Sequence, residues 1–195
     1  MPQTVDELIR KFNALQAELE DRLDEATRQH REEFQYQLRK GRVYFRREMR
    51  DLHRKYRIRS LPYLRGARLR HILSAPLIYS VLLPMLLMDL FVSVYHSVCF
   101  RIYGIPRVQR REHIVIDRHK LAYLNNIEKI NCMYCGYGNG LISYWREIFA
   151  RTEQYWCPIK HAQRFKDRHS RHEGFVEYGD AAAYRSRLPD LRKDW

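Results

Sequence analysis

The chain has 195 residues, enough for one modest domain with appendages, and 36 Lys and Arg outnumber 23 Asp and Glu. The formal net charge of +13 predicts an anionic partner, either lipid headgroups or nucleic acid. Only four cysteines are present, and three of them fall in one later stretch, which argues against a secreted disulfide scaffold.

Residues 1–60 are predicted to form an amphipathic, coiled-coil-like helical region that becomes basic from residue 39. Thr4 and Glu7 make a Ser/Thr-x-x-Glu capping box, which is typical of a helix start. No cleavable signal peptide is expected, because acidic groups outnumber basic groups in this first part. The stripe positions then recur in steps of three and four, as one face of a helix requires: Val5, Leu8, Phe12, Leu15, Leu19, Leu23, Ala26, His30, Phe34 and Leu38.

We expect Gly41 to weaken or bend this helix, and a second amphipathic stretch to run from Val43 to Tyr56. Pro62 and Gly66 should end it. The stripe predicts either a homo-oligomer or partner protein bound through the N-terminal helix, or packing against the rest of this chain.

The membrane prediction rests on residues 72–100, which contain no Lys, Arg or Glu. Before this segment, residues 39–71 carry a net charge of +11, and residues 61–71 are interpreted as a basic juxtamembrane linker. Clustered basic residues beside a membrane segment favour anionic lipid as the partner, so nucleic acid is disfavoured. The predicted lipid-binding residues are Arg57, Arg59, Arg65, Arg68, Arg70, Arg101, Arg107, Arg110 and Arg111.

Two topologies remain open for the apolar segment. The two flanks carry similar numbers of arginines, so the positive-inside rule does not favour a crossing. Pro84 near the middle predicts either a re-entrant or monotopic helix or a single tilted and kinked span. Asp89 and His96, seven residues apart, are candidate intramembrane polar residues, and the alternative is a polar contact between helices. We expect a bacterial inner membrane, with the bulk of the chain on its cytoplasmic side.

Residues 101–163 are predicted to form a Cys/His domain on the cytoplasmic face. Cys132-x2-Cys135 and Cys157-x3-His161 supply the four ligands of a Cys3His site, which favours zinc, with iron as the alternative. Gly136, Gly138 and Gly140 would allow the tight turn that a metal knuckle needs, and residues 141–155 between the two pairs look helical. A redox dithiol of Cys132 and Cys135 is the other interpretation, and His169 or His172 could replace His161.

The two cysteine segments resemble the knuckles of rubredoxins and related zinc ribbons. The second knuckle lacks its final cysteine, because Ile159, Lys160 and His161 follow Cys157-Pro158. The block with NCMYCGYGNG and ARTEQYWCPIKHA is also similar to a family of uncharacterised bacterial membrane-associated proteins, and this resemblance implies membrane attachment. The residues that match the rubredoxin and zinc-ribbon knuckles are Cys132, Cys135, Gly136, Tyr137, Trp156, Cys157 and Pro158.

Residues 164–195 read as a basic polar tail, ordered only where it touches the body or lipid. The predicted fold is therefore mainly α, with a long amphipathic N-terminal helix, one kinked or re-entrant membrane helix and a small C-terminal Cys/His metal-binding domain. Its first functional interpretation is a membrane-associated scaffold with a structural metal site. The alternative is a membrane-bound redox or metalloenzyme that uses iron or the dithiol, although no catalytic residue is predicted.

Overall fold

A computed structural model describes residues 5–34, 36–39, 42–163 and 166–195 of the chain. Thr4 of the predicted capping box and Gly41 of the predicted bend lie outside these residues. The chain divides into two compact units that cross the predicted domain boundaries. One unit comprises the chain as far as Arg59 together with Lys120–Asn125, and the other comprises Ser60–His119 and Asn126–Trp195.

The first unit contains α1 (Val5–Glu33), β1 (Tyr36–Arg39), β2 (Arg42–Phe45) and α2 (Arg47–Lys55). The prediction of one helix through residue 38 is wrong, because β1 and β2 pair as an antiparallel hairpin. Aromatic and β-branched residues that alternate on both sides of residues 40–41 favour strands over helix. The rings of Tyr36 and Phe45 lie 5.5 Å apart across the hairpin, and Phe45 packs on His53 of α2.

The second unit contains α3 (Ser60–Gly66), α4 (Leu69–Ser80), α5 (Leu82–Tyr103), α6 (Arg110–His113), α7 (Asn126–Trp156) and α8 (Ala181–Leu191). Helices α4 and α5 form one helical stretch of 35 residues, about 52 Å at the rise of an α-helix. It is long and apolar enough to cross a membrane. The interruption is Val81 alone, which keeps right-handed helical angles (φ −63°, ψ −21°). The chain therefore continues as one helical stretch past Pro84, without the reversal that a re-entrant helix needs.

The chain reverses after α5, at Gly104. This residue has φ +69°, and the N–H of the next residue, Ile105, donates to the carbonyl of Phe100 in a Schellman-type cap. The chain then runs back along α5, because the backbone N–H of Val108 donates to His96 and Arg110 binds Asp89. We call residues 104–118 the return segment.

Helix α7 runs parallel to α4 and α5 and closes the core. Contacts advance together along both partners, from Tyr79 with Asn131 to His96 with Tyr144. The core consists of residues from α5, the return segment and α7, in one buried cluster: Val92, Phe100, Ile105, Val108, Tyr144 and Ile148.

The C-terminal residues 166–195 are ordered by contacts with the body of the second unit. Phe175, Val176 and Leu191 are buried. The amide of Val176 donates to the carbonyl of Pro158 at 2.9 Å, and that of Lys160 donates back to Val176 at 2.7 Å. The many polar residues of this segment are used in hydrogen bonds to α7, which composition alone does not reveal.

Candidate functional site

The predicted metal ligands do not converge within this chain. Cys132 and Cys135 lie in the first half of α7, and Cys157 follows the last residue of the same helix. At 1.5 Å per residue, about 33 Å of helix separates Cys135 from Cys157, far beyond the diameter of a tetrahedral site. Among the described residues, no group of three or more His, Cys, Asp or Glu side chains is placed to hold a metal ion. Zinc or iron binding stays a prediction.

The glycines between these cysteines serve helix packing and not a metal knuckle. Residues 126–156 form one helix, so the predicted turn at Gly136, Gly138 and Gly140 is wrong, whereas the predicted helix over residues 141–155 is confirmed. A Cβ on Gly140 would lie 2.8 Å from the Cα of Ile114. A Cβ on Gly136 would lie 3.3 Å from the carbonyl oxygen of Val115. These two glycines, one helical turn apart, let the return segment approach α7 closely.

The remaining predicted ligands lie at the C-terminal end of α7. Desolvation and the nearby carboxylate of Glu153 raise the pKa of the Cys157 thiol. Glu153 itself lies 2.9 Å from Nε2 of His169. The ring of His161 stacks on that of His172 with centroids 6.1 Å apart. This end of the helix therefore gathers histidines around one carboxylate.

A second charged cluster ties the C-terminal segment to α7. Glu147 accepts hydrogen bonds from Arg151 at 2.7 Å and from Arg171 at 3.1 Å. Burial alone would raise the pKa of Glu147, but the hydrogen bonds from the two arginines hold that pKa below its usual value. Arg171 also donates to the side chain of Gln154. These contacts explain why residues 166–195 are ordered, because they hold this segment against α7.

The polar residues of the apolar helix form a seam with α7 and the return segment. Asp89 receives both guanidinium nitrogens of Arg110, at 2.5 and 2.6 Å, and the hydroxyl of Tyr137 at 2.8 Å. His96 accepts the amide of Val108 at its Nε2 and lies 3.1 Å from the Tyr144 hydroxyl at its Nδ1. Asp89 and His96 therefore make contacts between helices, the alternative left open by the sequence.

Three partners of this seam, Arg110, Tyr137 and Tyr144, were missed by sequence reasoning. A signal for two of them exists, because Tyr137 and Tyr144 are seven residues apart on α7, the same spacing as Asp89 and His96 on α5. Equal spacing of complementary polar residues on two helices is what a parallel pairing produces. Arg110 is one of the predicted lipid-binding residues, but its side chain points instead to Asp89.

The opposite side of α5 is an apolar face that the chain itself leaves uncovered. Its members are spaced by one helical turn and lie on the side away from Asp89 and His96. Each is more than half exposed to solvent. We call this set the apolar stripe: Leu83, Leu87, Leu90, Phe91, Val94, Val98 and Ile102.

The predicted lipid-binding arginines of the second unit lie in three places: near the start of α4 (Arg65, Arg68 and Arg70), near the end of α5 (Arg101) and in the return segment (Arg107, Arg110 and Arg111). Arg107 is exposed but places one nitrogen 3.4 Å from the Ser97 hydroxyl, so it also leans on α5. The other arginines of this set, apart from Arg110, are exposed: Arg57, Arg59, Arg65, Arg68, Arg70, Arg101 and Arg111.

The chain matches no family model, no curated protein and no solved structure. Its function must therefore be argued from its own side chains.

Proposed function

We propose that this chain is a membrane-associated scaffold protein that lies on the cytoplasmic face of a bacterial inner membrane. In this proposal the α4–α5 helix rests in the plane of the bilayer with the apolar stripe toward the acyl chains. Helix α7 and the return segment cover its other side. The observation that carries the proposal is that the apolar stripe is exposed, while on the opposite side of the helix Asp89 and His96 are hydrogen-bonded to the return segment.

The size of the stripe supports lipid as its partner. Contiguous exposed apolar surface of this extent is unusual on a soluble monomer and marks an interaction site. Full burial of a Leu, Val or Phe side chain is worth about 1.5–3 kcal/mol, so burial of the exposed halves of seven side chains offers on the order of 7 kcal/mol. Each basic residue near an anionic surface adds about 1 kcal/mol. Burial of the stripe and attraction of the arginines to the surface therefore supply binding free energies of similar size, and the arginines favour anionic lipid.

An in-plane helix fits the charges along its covered side better than a crossing helix does. The return segment carries Arg107, Arg110 and Arg111 back along α5, about 21 Å from its C-terminal end at the level of Asp89. At the other end, Glu128 and Lys129 follow Ile127, which shares a cleft with Ile72 of α4. A crossing would carry these groups into hydrocarbon, at about 2.5–3.5 kcal/mol each on insertion scales.

The scaffolding part of the proposal rests on α1. Phe12, Leu15, Leu19 and Leu23 lie on one side of this helix, and each is more than half exposed. Such a stripe fits a second copy of the same helix, because apolar side chains spaced by three and four residues pack as knobs into the holes of an identical helix. The chain would then link the membrane surface to an assembly.

Vesicle flotation tests the membrane proposal with a matched pair of variants. Phe91 in the stripe and Tyr178 in the C-terminal segment are equally exposed, at 69% each. We expect Phe91→Asp to reduce the fraction that floats with vesicles of phosphatidylcholine and phosphatidylglycerol, because a carboxylate replaces an apolar anchor. Tyr178→Asp should float like the unsubstituted protein. Equal flotation of both variants would contradict the proposal.

A further inference from the structure

A cleft of about 480 Å³ lies between α3, α4 and the first half of α7. Its α4 residues, such as Ile72, Ala75 and Ile78, share one face of that helix, and Ile127 and Cys135 face them from α7. The volume falls in the range of sites for small molecules and cofactors, about 300–1,000 Å³. Apolar side chains dominate the walls, so the cleft suits a hydrocarbon chain.

One end of the cleft is closed by two tyrosines. The hydroxyl of Tyr79 donates to the side-chain carbonyl of Asn131, and that of Tyr134 donates to the backbone carbonyl of Ile78 at 2.8 Å. The two rings meet edge to face with centroids 5.6 Å apart. These contacts fasten α4 to α7 and satisfy the polar groups there, so this end presents apolar ring surface to an occupant.

The other end of the cleft lies beside a basic stretch of the chain, whose arginines adjoin the lining residues in sequence. Leu64, Ala67 and His71 line it, and the exposed residues Arg65, Arg68 and Arg70 are interleaved with them in the sequence. Helix α4 begins here, and its first turn contains no acidic residue and receives no side-chain cap. The amides of His71 and Ile72 donate to the carbonyl of Arg68, and the partial positive charge of a helix start, together with clustered guanidinium groups, favours a phosphate.

From this geometry we propose that the cleft binds one acyl chain of an anionic phospholipid, with the lipid phosphate at the start of α4 among Arg65, Arg68 and Arg70. The proposal rests on the membrane attachment argued above and adds a specific lipid site to it. The charge of the mouth and the apolar walls commit the cleft to this occupant, which reaches it from the bilayer surface. The cleft opens on a different face of α4 from the outward residues Leu73 and Leu77, which continue the apolar stripe.

Photo-crosslinking separates this site from general membrane contact. The full chain is bound to phosphatidylcholine vesicles that contain phosphatidylglycerol with a diazirine in its acyl chain, and adducts are mapped by peptide mass spectrometry. We expect adducts at the cleft residues Ala75, Asn131 and Cys135 in addition to the stripe. Adducts confined to the stripe would overturn the lipid site and leave membrane attachment standing. Loss of both sets, together with loss of flotation, would overturn both proposals.

Variants and a headgroup comparison sharpen the result. Ala75→Trp fills the cleft and should remove the cleft adducts while flotation persists, whereas Leu77→Trp on the outer side of the same helix should keep them. The double variant Arg68→Gln/Arg70→Gln leaves the walls unchanged and should lower the cleft adducts relative to the stripe adducts. Equal cleft labelling by photoreactive phosphatidylcholine and phosphatidylglycerol would overturn the assignment of an anionic lipid.

Discussion

Arg110 binds Asp89 through two parallel hydrogen bonds, with Nη1 2.5 Å from Oδ1 and Nη2 2.6 Å from Oδ2. The two residues are 21 positions apart, and the contact fixes the return segment against the middle of the apolar helix stretch. The Asp89 side chain keeps only 13% of its surface exposed. A carboxylate on an otherwise apolar helix is thus neutralised by the protein body, and the opposite face of the helix remains purely apolar.

Removal of this guanidinium should destabilise the second unit. Hydrogen bonds to a charged group contribute roughly 1.5–3 kcal/mol, and Arg110→Ala would also leave Asp89 without its counterion. We expect the lower part of that range, because the Arg110 side chain is 42% exposed. Thermal unfolding in mild detergent measures the loss. Arg111→Ala removes the same charge from the neighbouring exposed position and should change the midpoint little.

The glycines of α7 provide a test of the close helix approach. Alanine has a higher helix propensity than glycine by about 1 kcal/mol, so a free helix would gain from either Gly138→Ala or Gly140→Ala. At Gly140 the new Cβ would meet the backbone of Ile114 and His113, which cannot move aside easily. At Gly138 it would meet only the flexible end of Met85.

We therefore expect Gly140→Ala to destabilise the protein by about 1–3 kcal/mol, as for overpacking, and Gly138→Ala to cost less or to stabilise. Chemical unfolding followed by circular dichroism measures both. A metal knuckle at these positions would predict the same loss for both variants, so equal effects would contradict the packing role.

Acidification should loosen the C-terminal segment through His172. Burial, together with the charges of Arg168 and His169, lowers the pKa of this histidine, while Glu173 and Glu153 oppose the shift. The unfolded chain takes up a proton near pH 6.5, so the folded state loses stability as the pH falls below about 6.5 toward the lower folded pKa. Above that pH the histidine is neutral in both states and has no such effect.

The measurement is hydrogen exchange at the Val176 amide, which bonds the carbonyl of Pro158. We expect exchange to accelerate between about pH 7 and about pH 5 beyond the intrinsic change, and His172→Gln to reduce that acceleration. His71→Gln, an exposed histidine of the same unit, should leave it unchanged. A pH response that persists in His172→Gln would show that another group controls the segment.

Self-association through α1 predicts a change of mass in solution. Leu15→Lys/Leu19→Lys places two charges in the exposed stripe of this helix and should convert an oligomer into a monomer. Ala17→Lys carries the same substitution onto the other side of the helix and should leave the oligomer intact. Light scattering in detergent decides between them. A monomer before any substitution would contradict the role of α1.

The sequence predicted the helical class and the apolar helix well, because these depend on local periodicity and composition. Residues 72–100 lie within the helical stretch Leu69–Tyr103, whose interruption at Val81 comes three residues before Pro84. The exposed α1 stripe also follows the predicted spacing. The hairpin at residues 36–45 was missed because the helix pattern was extended across Gly41.

The sequence could not predict the contacts between distant residues that place the candidate site residues. A C-x-x-C pair followed by three glycines is compatible with a turn, but in the structure these residues form a helix, and Ile114 packs closely against Gly140. Likewise, Arg110 was predicted to bind lipid because it is a basic residue close to the apolar segment. In the structure it binds Asp89, because the chain reverses at Gly104 and returns along α5. The order of residues 166–195 depends on Glu147 and Gln154 of α7 in the same way.

Sided labelling of two cysteines tests the in-plane helix most directly. Single cysteines are introduced as Arg70→Cys and Arg101→Cys, at exposed positions near the two ends of the α4–α5 helix, in a background whose four native cysteines are replaced by serine. Sealed membrane vesicles are treated with a membrane-impermeant maleimide before and after permeabilisation. The in-plane account predicts that both cysteines react from the same side. Reaction of one before permeabilisation and of the other only afterwards would show that the helix crosses the membrane and would contradict the account.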